Sequence, residues 1–378
     1  MEQSLKPERF LSLDVFRGMT IFLMIIVNNP GGGAASFDPL NHSHWIGCTP
    51  TDMVFPSFLF AVGNALSFAI GKYEAMGNAA VLRKIFKRTF LIFLIGYLMY
   101  WFPFIHQTDA GSWVLKPFSH TRIMGVLQRI ALAYCFGALI VHFCSKRTAI
   151  ILSIIFLLGY WAILMAFGEH GAQLTMTGNA VLRLDRFLFG NNHLYHGEGI
   201  PFDPEGVLST IPAIVNVIAG YLAGEFIQKK GRNYETIARL MIAGSLLIAI
   251  GLFWNQSFPI IKKIWTSSYV LYMVGIDLLF LSILIYFIEM KSWKRGVYFF
   301  NVFGKNPLFI YLVSELLIVV LFMIPMGAES DFPDWINKHG YQVIAPGPLG
   351  SLLFALSYMM VCWLVGYLLD KRKIYIRI

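Results

Sequence analysis

Residues 28–63 read NNPGGGAASFDPLNHSHWIGCTPTDMVFPSFLFAVG. They end one apolar run at Asn28 and open the next at Thr51-Asp52, with a loop rich in Gly, Pro, Asn, His and Trp between them. The glycines and prolines break any helix. Asn28, His42, His44 and Asp52 therefore share one short, constrained crossing between two rigid segments. Nucleophiles and bases suit such a place, because a loop pinned at both ends is positioned and still reaches a substrate.

The rest of the chain decides what the two flanking runs are. With 57% hydrophobic, 16% aromatic and 13% charged residues, the expected class is an all-α, polytopic integral membrane protein. Apolar stretches long enough to cross a bilayer, about 20 residues each, fall at 11–29, 51–71, 88–105, 123–144, 149–167, 207–228, 240–257, 266–289, 299–324 and 349–370. That makes ten transmembrane helices.

A net charge of +9 would suggest nucleic acid in a soluble chain, but here its distribution matters more. Segments on the N-terminal side hold two thirds of the Lys and Arg residues, including Arg83, Lys84, Lys87 and Arg88, Lys229, Lys230 and Arg232, and Lys371-Arg372-Lys373. The bias puts both termini in the cytosol and the loops 30–50, 106–122, 168–206 and 325–348 outside. No repeat or separate soluble domain is visible, so residues 1–378 read as one membrane domain. The polar lead-in MEQSLKPERF reads as the flank of a first anchor rather than a removed signal.

Several polar residues fall where lipid makes them costly. Asp14 and Arg17 in LDVFRG share a helix face near the cytosolic boundary, either as an interfacial ion pair or as a site for phosphates from the cytosol. Arg122 and Arg129 are two turns apart, Arg129 about 10 Å deeper. Asp277 and Glu315 are further ionisable groups inside spans. Gly304, Lys305 and Asn306-Pro307 interrupt the start of the ninth span, a break tolerated only where backbone faces protein or a cavity. The loop string NNHLYHGEGIPFDPEGVLST brings His193, His196, Asp203 and Glu205 before the sixth span. A zinc reading lacks a helical His pair or a Cys pair, and Asp203-Pro204-Glu205 suits helix capping equally well. No metal is expected. Of the four cysteines, Cys135, Cys144 and Cys362 lie in apolar runs, while Cys48 sits near His42 as a candidate thiol ranked below the histidine.

The ordered strings SLDVFRG, HSHWIGCT leading into DMVFPSFLF, RIMGVLQR, DPEGVLST and WTSSYVL resemble the heparan-α-glucosaminide N-acetyltransferase family. The resemblance covers most of the chain, although the animal lysosomal member carries an extra lumenal region and one more span ahead of this start. It implies a transferase that moves acetyl from cytosolic acetyl-CoA, as co-substrate, to a glucosamine-type amino group on the outer side. The family histidine, three residues before the Trp of a His-x-x-Trp-x-Gly string, matches His42, and the Asn ending the first span matches Asn28. His44 falls outside that position.

Residue chemistry fits these roles. A neutral imidazole can take a proton from the sugar ammonium or itself accept the acetyl group. The Asn28 amide can face the developing oxyanion. Asp52 can orient the imidazole, although a helix cap explains it as well. Asp14, Arg17, Arg129 and Lys305 are expected to hold acetyl-CoA; Trp45, Arg122, His193, Asp203 and Glu205 are expected to hold the acceptor. Expected partners are the amino sugar, acetyl-CoA and a lipid bilayer, that of a bacterial inner membrane, with a homodimer left open and no nucleic acid. The alternatives are an amino-sugar or small-anion transporter, whose interrupted helices would look similar, and an O-acetyltransferase of envelope glycans.

Overall fold

Long apolar runs become helices here because lipid offers their backbone groups no partner. The computed structural model describes residues 10–31, 35–74, 77–107, 112–327 and 330–376; the lead-in 1–9 and the glycines 32–33 lie outside these. The helices are α1 (Leu11–Asn28), α2 (Pro50–Glu74), α3 (Asn78–Trp101), α4 (Val126–Phe143), α5 (Lys146–Phe167), the short α6 (Ala180–Phe189), α7 (Thr210–Lys230), α8 (Tyr234–Trp254), α9 (Ser267–Leu284), α10 (Val297–Lys305), α11 (Pro307–Phe322), two short turns α12 (Phe332–Ile336) and α13 (Gln342–Ile344), and α14 (Pro348–Lys371). A small hairpin, β1 (Ile105–Gln107) with β2 (Trp113–Leu115), is the sheet seen among the described residues.

The chain is an all-α, multi-pass membrane protein. Among the described residues eight helices are long and apolar enough to cross a bilayer: α1, α2, α4, α5, α7, α8, α9 and α14. The other two expected spans differ from the simple pattern. α3 begins at Asn78, ten residues before the apolar stretch, because the basic run Arg83–Arg88 also winds into helix. The ninth stretch is two helices, α10 and α11, bent by 83° at the expected break.

That break is closed by side chains. A helix C-terminus leaves carbonyls unbonded and carries a partial negative charge. The Arg17 guanidinium donates to the Gly304 carbonyl through Nε (2.9 Å) and Nη2 (2.5 Å). Asn306 donates to the Ile374 carbonyl at 3.0 Å and accepts from the Ile376 N–H at 2.8 Å, tying the C-terminal segment to the bend. Lys305 pairs with Asp370 at 2.7 Å.

Close helix crossings fix the bundle. A Cβ on Gly18 would stand 1.8 Å from the Phe300 carbonyl oxygen, and one on Gly304 would stand 2.1 Å from that of Asp14. α1 and α10 thus meet backbone to backbone, and this contact delivers Arg17 to the bend. Gly63 and Gly220 let α2 and α7 cross in the same way, each Cβ position lying 2.0 Å from the partner helix's carbonyl oxygen. Small residues at such contacts are how membrane helices gain packing without a hydrophobic drive.

Candidate active site

The loop after α1 is held from three sides. Its Thr51 hydroxyl donates to the Pro39 carbonyl at 3.0 Å, and Thr49 Oγ1 donates to the Asn41 carbonyl at 2.7 Å. Gly47, at φ 110°, donates its N–H to the Ile260 carbonyl at 2.8 Å, fastening the loop to the segment before α9. Trp45 donates its indole N–H to the Leu174 carbonyl at 2.7 Å and packs edge-on against Phe202, 5.7 Å away. Trp45 is therefore the peg between this loop and the 168–206 loop.

Within that frame His42 Nδ1 lies 2.7 Å from Asp52 Oδ1. The carboxylate has no proton of its own to give, so Nδ1 carries the hydrogen at this contact. Asp52 Oδ2 accepts from the Ser43 N–H at 3.1 Å and the Thr49 N–H at 2.9 Å. Asp52 thus caps the loop and orients the imidazole at once. Its side chain is wholly buried, while that of His42 remains 45% exposed. A buried carboxylate behind a half-open imidazole is the arrangement that prepares a base. Tyr269 donates its hydroxyl to the Asp52 carbonyl at 2.5 Å.

Cys48 is no competitor as a nucleophile. Burial, with the charge of Asp52 added, pushes its thiol up to about 12, and a thiol rather than a thiolate is a weak attacker.

Asn28 ends α1 with its side chain exposed, and its amide donates to Glu315 Oε1 on α11 at 3.2 Å. A small crevice beside it is lined by Val27, Pro30, Ser36, Leu40 and Pro348. Leu40 is two residues before His42, so the end of α1 and the histidine loop share this corner.

A second group sits at the same end of the bundle. Arg122 grips Asp203 with two nitrogens, at 2.9 and 2.7 Å, and reaches Glu205 at 2.6 Å. Its guanidinium lies between the rings of Tyr100 and Tyr195, 4.9 and 4.7 Å from their centroids. Burial works against the Glu205 charge, but Lys262, Arg122 and Arg129 outweigh it and hold the carboxyl below its ordinary range. His193 Nδ1 stands 2.8 Å from the Thr121 carbonyl, one residue from Arg122. Among the described residues no three His, Cys, Asp or Glu side chains gather as metal ligands.

The four residues expected to hold acetyl-CoA do not converge. Asp14, Arg17 and Lys305 meet around the α10–α11 bend, where Arg17 also bonds Asp14 at 2.8 Å. Arg129 is fully buried elsewhere, bonded to Ser209 and the Gly206 carbonyl and lying 4.8 Å over the Trp265 ring. Its partners belong to the Arg122 side. The two-turn spacing from Arg122 sets Arg129 deeper along the span but does not say which helices face it.

Trp265 and Tyr269 are the residues whose parts the sequence left unstated. The string WTSSYVL is visible in it, yet only the fold reveals that Trp265 backs Arg129 while Tyr269, 5.3 Å from Trp265, holds Asp52.

The family described as "Heparan-alpha-glucosaminide N-acetyltransferase, catalytic" matches residues 9–253. The chain belongs to this family. It is 29% identical over 366 residues to the human heparan-alpha-glucosaminide N-acetyltransferase and 30% identical over 365 residues to the mouse protein of that name. The matched regions cover 82% of this chain and 53% and 54% of those relatives, so the chain spans about half their length. The family match takes in α1 to α8 and with them His42, Asp52, Arg122 and Glu205; Glu315 lies beyond it.

Proposed function

We propose that this chain is a membrane N-acetyltransferase that moves the acetyl group of acetyl-CoA to the amino group of a glucosamine-type sugar. The observation that carries the reading is the His42–Asp52 pair, 2.7 Å apart on the loop that carries the family's strings. Asp52 holds the hydrogen of the imidazole on Nδ1 and leaves Nε2 to take a proton from the attacking amine. Asn28 presents an amide N–H, beyond the one given to Glu315, to the thioester oxygen as charge builds there. Arg122, Asp203, Glu205 and Trp45 frame the acceptor side, with His193 bracing the Arg122 loop.

In this reading ten spans place both termini in the cytosol and the histidine loop outside, on the periplasmic or lumenal face. Acetyl-CoA then enters from the basic end. A cavity of about 360 Å³ opens there, lined by Leu11, Ile288, Trp293, Lys294, Tyr298 and Asn301. The Asn301 amide oxygen is buried without a partner, which suits a nucleobase amine, while Lys294 supplies a cation for phosphate. Arg17 and Lys305 lie at the same end and brace the bend beside the path.

The test is purified protein given labelled acetyl-CoA and a panel of amino sugars and hydroxyl-bearing glycans. N-acetylated amino sugar is the expected product. Label on hydroxyls would favour the O-acetyltransferase reading, and uptake of glucosamine without acetylation would favour a carrier.

A further inference from the structure

Glu315 has no part in the chemistry described so far, and its surroundings ask for one. A carboxylate inside a membrane span is costly unless it is paired or faces water. Glu315 is half-buried on α11 and takes one hydrogen bond, from Asn28, which leaves Oε2 open. Among the described residues no Lys, Arg or His stands at ion-pair distance from it.

The neighbouring carboxylates are committed. Asp52 is taken by His42, Ser43 and Thr49. Asp203 and Glu205 are taken by Arg122, with Lys262 a further 3.9 Å from Glu205. Glu198 is paired with Lys263. Asp185 accepts from the Val207 N–H and Asp277 from the Ser57 hydroxyl, both buried. Glu315 is thus the half-open intramembrane carboxylate at this corner with a free oxygen and no cation of its own.

We propose that Glu315 receives the ammonium of the acceptor sugar beside Asn28 and is the first stop for its proton. The inference rests on the acetyltransferase reading. The acceptor enters as R–NH3+; one proton passes to the Glu315 carboxylate, and the freed amine lone pair attacks the thioester carbon. The C–N bond forms, the C–S bond breaks, and the thiolate of CoA takes the second N–H proton by way of His42. Amide and CoA thiol leave, and Glu315 sheds its proton to solvent. Helix α11, which carries Glu315, packs against α3, whose Tyr100 ring lies 4.9 Å from the Arg122 guanidinium. The ammonium subsite therefore adjoins the Arg122 group, where the sugar hydroxyls would lie.

The test uses full-length protein in lipid nanodiscs with glucosamine as the probe. Glu315→Gln should raise the KM for glucosamine roughly 10- to 100-fold, the value of one charged hydrogen bond, and leave the KM for acetyl-CoA unchanged. A second measurement needs no variant. Glucosamine, and not N-acetylglucosamine, should shield Glu315 of the wild-type protein from carbodiimide labelling read by mass spectrometry. An unchanged glucosamine KM in Glu315→Gln, or labelling indifferent to glucosamine, overturns the proposal. Shielding by glucosamine in a protein that transfers no acetyl group would uphold the subsite and sink the acetyltransferase reading instead.

Discussion

Asp52 binds three parts of one loop: the imidazole of His42 ten residues back, the Ser43 N–H and the Thr49 N–H. One buried carboxylate therefore sets both the shape of the loop and the tautomer of its histidine. Asp52→Asn should separate these roles. The amide keeps the shape but no longer requires the hydrogen on Nδ1, so turnover should fall about 10²–10⁴-fold while acetyl-CoA binding persists. Steady-state kinetics beside a binding isotherm would check this; equal losses in both would make Asp52 structural only.

Arg17 serves the bend between α10 and α11 as much as any ligand. Arg17→Ala leaves the Gly304 carbonyl without its charged donor, and the expected loss is about 1.5–3 kcal/mol of stability, read as a lowered melting temperature in detergent. Arg17→Lys should recover part of it. A variant that melts like the wild type but loses acetyl-CoA binding would instead make Arg17 a ligand residue alone.

Removing Arg122 strands two buried carboxylates. Arg122→Gln should cost roughly 3–5 kcal/mol, and adding Asp203→Asn should restore part of that loss. Denaturation of the single and double variants measures the coupling. Additive losses would mean that the pair contributes little.

Asp185, on α6 outside the spans, is pushed up to about 7 by burial and the charge of Asp203, against the Val207 N–H and Arg129. In the unfolded chain it titrates near its ordinary 3.8. Between the two values the folded protein holds a proton that the unfolded chain has shed, so this group's contribution to stability falls as pH rises through that window and is flat above it. Asp185→Asn removes the dependence. Its melting temperature relative to wild type should climb from about pH 5 to about pH 8. A constant difference would contradict the burial argument.

The ends of the chain's sidedness are testable directly. Cysteines introduced at Ser43 and Lys373 should be labelled from opposite faces of sealed vesicles. Labelling from one face would overturn the topology.

Much of this arrangement is legible in one dimension. The histidine loop, the break at Gly304–Pro307 and the place of Arg129 within a span all follow from where polar and helix-breaking residues interrupt apolar runs. What is not legible is pairing at a distance. Asn28 and Glu315 are 287 positions apart, as are Arg17 and Gly304, and no local pattern marks either contact. Arg17 and Arg129 look alike in sequence, two guanidiniums within spans, yet one caps a broken helix and the other packs on Trp265. α3 starts ten residues ahead of its apolar stretch for a simpler reason: apolar length marks the membrane, and helix runs on past it through basic residues.

In the proposed reaction His42, held by Asp52, handles the proton of acetyl transfer. The decisive measurement is glucosamine acetylation by His42→Ala and His44→Ala in nanodiscs, with acetyl-CoA binding followed alongside. His42→Ala should lose at least about 10²-fold in kcat and still bind acetyl-CoA, while His44→Ala should lose far less. Full activity in His42→Ala would contradict it.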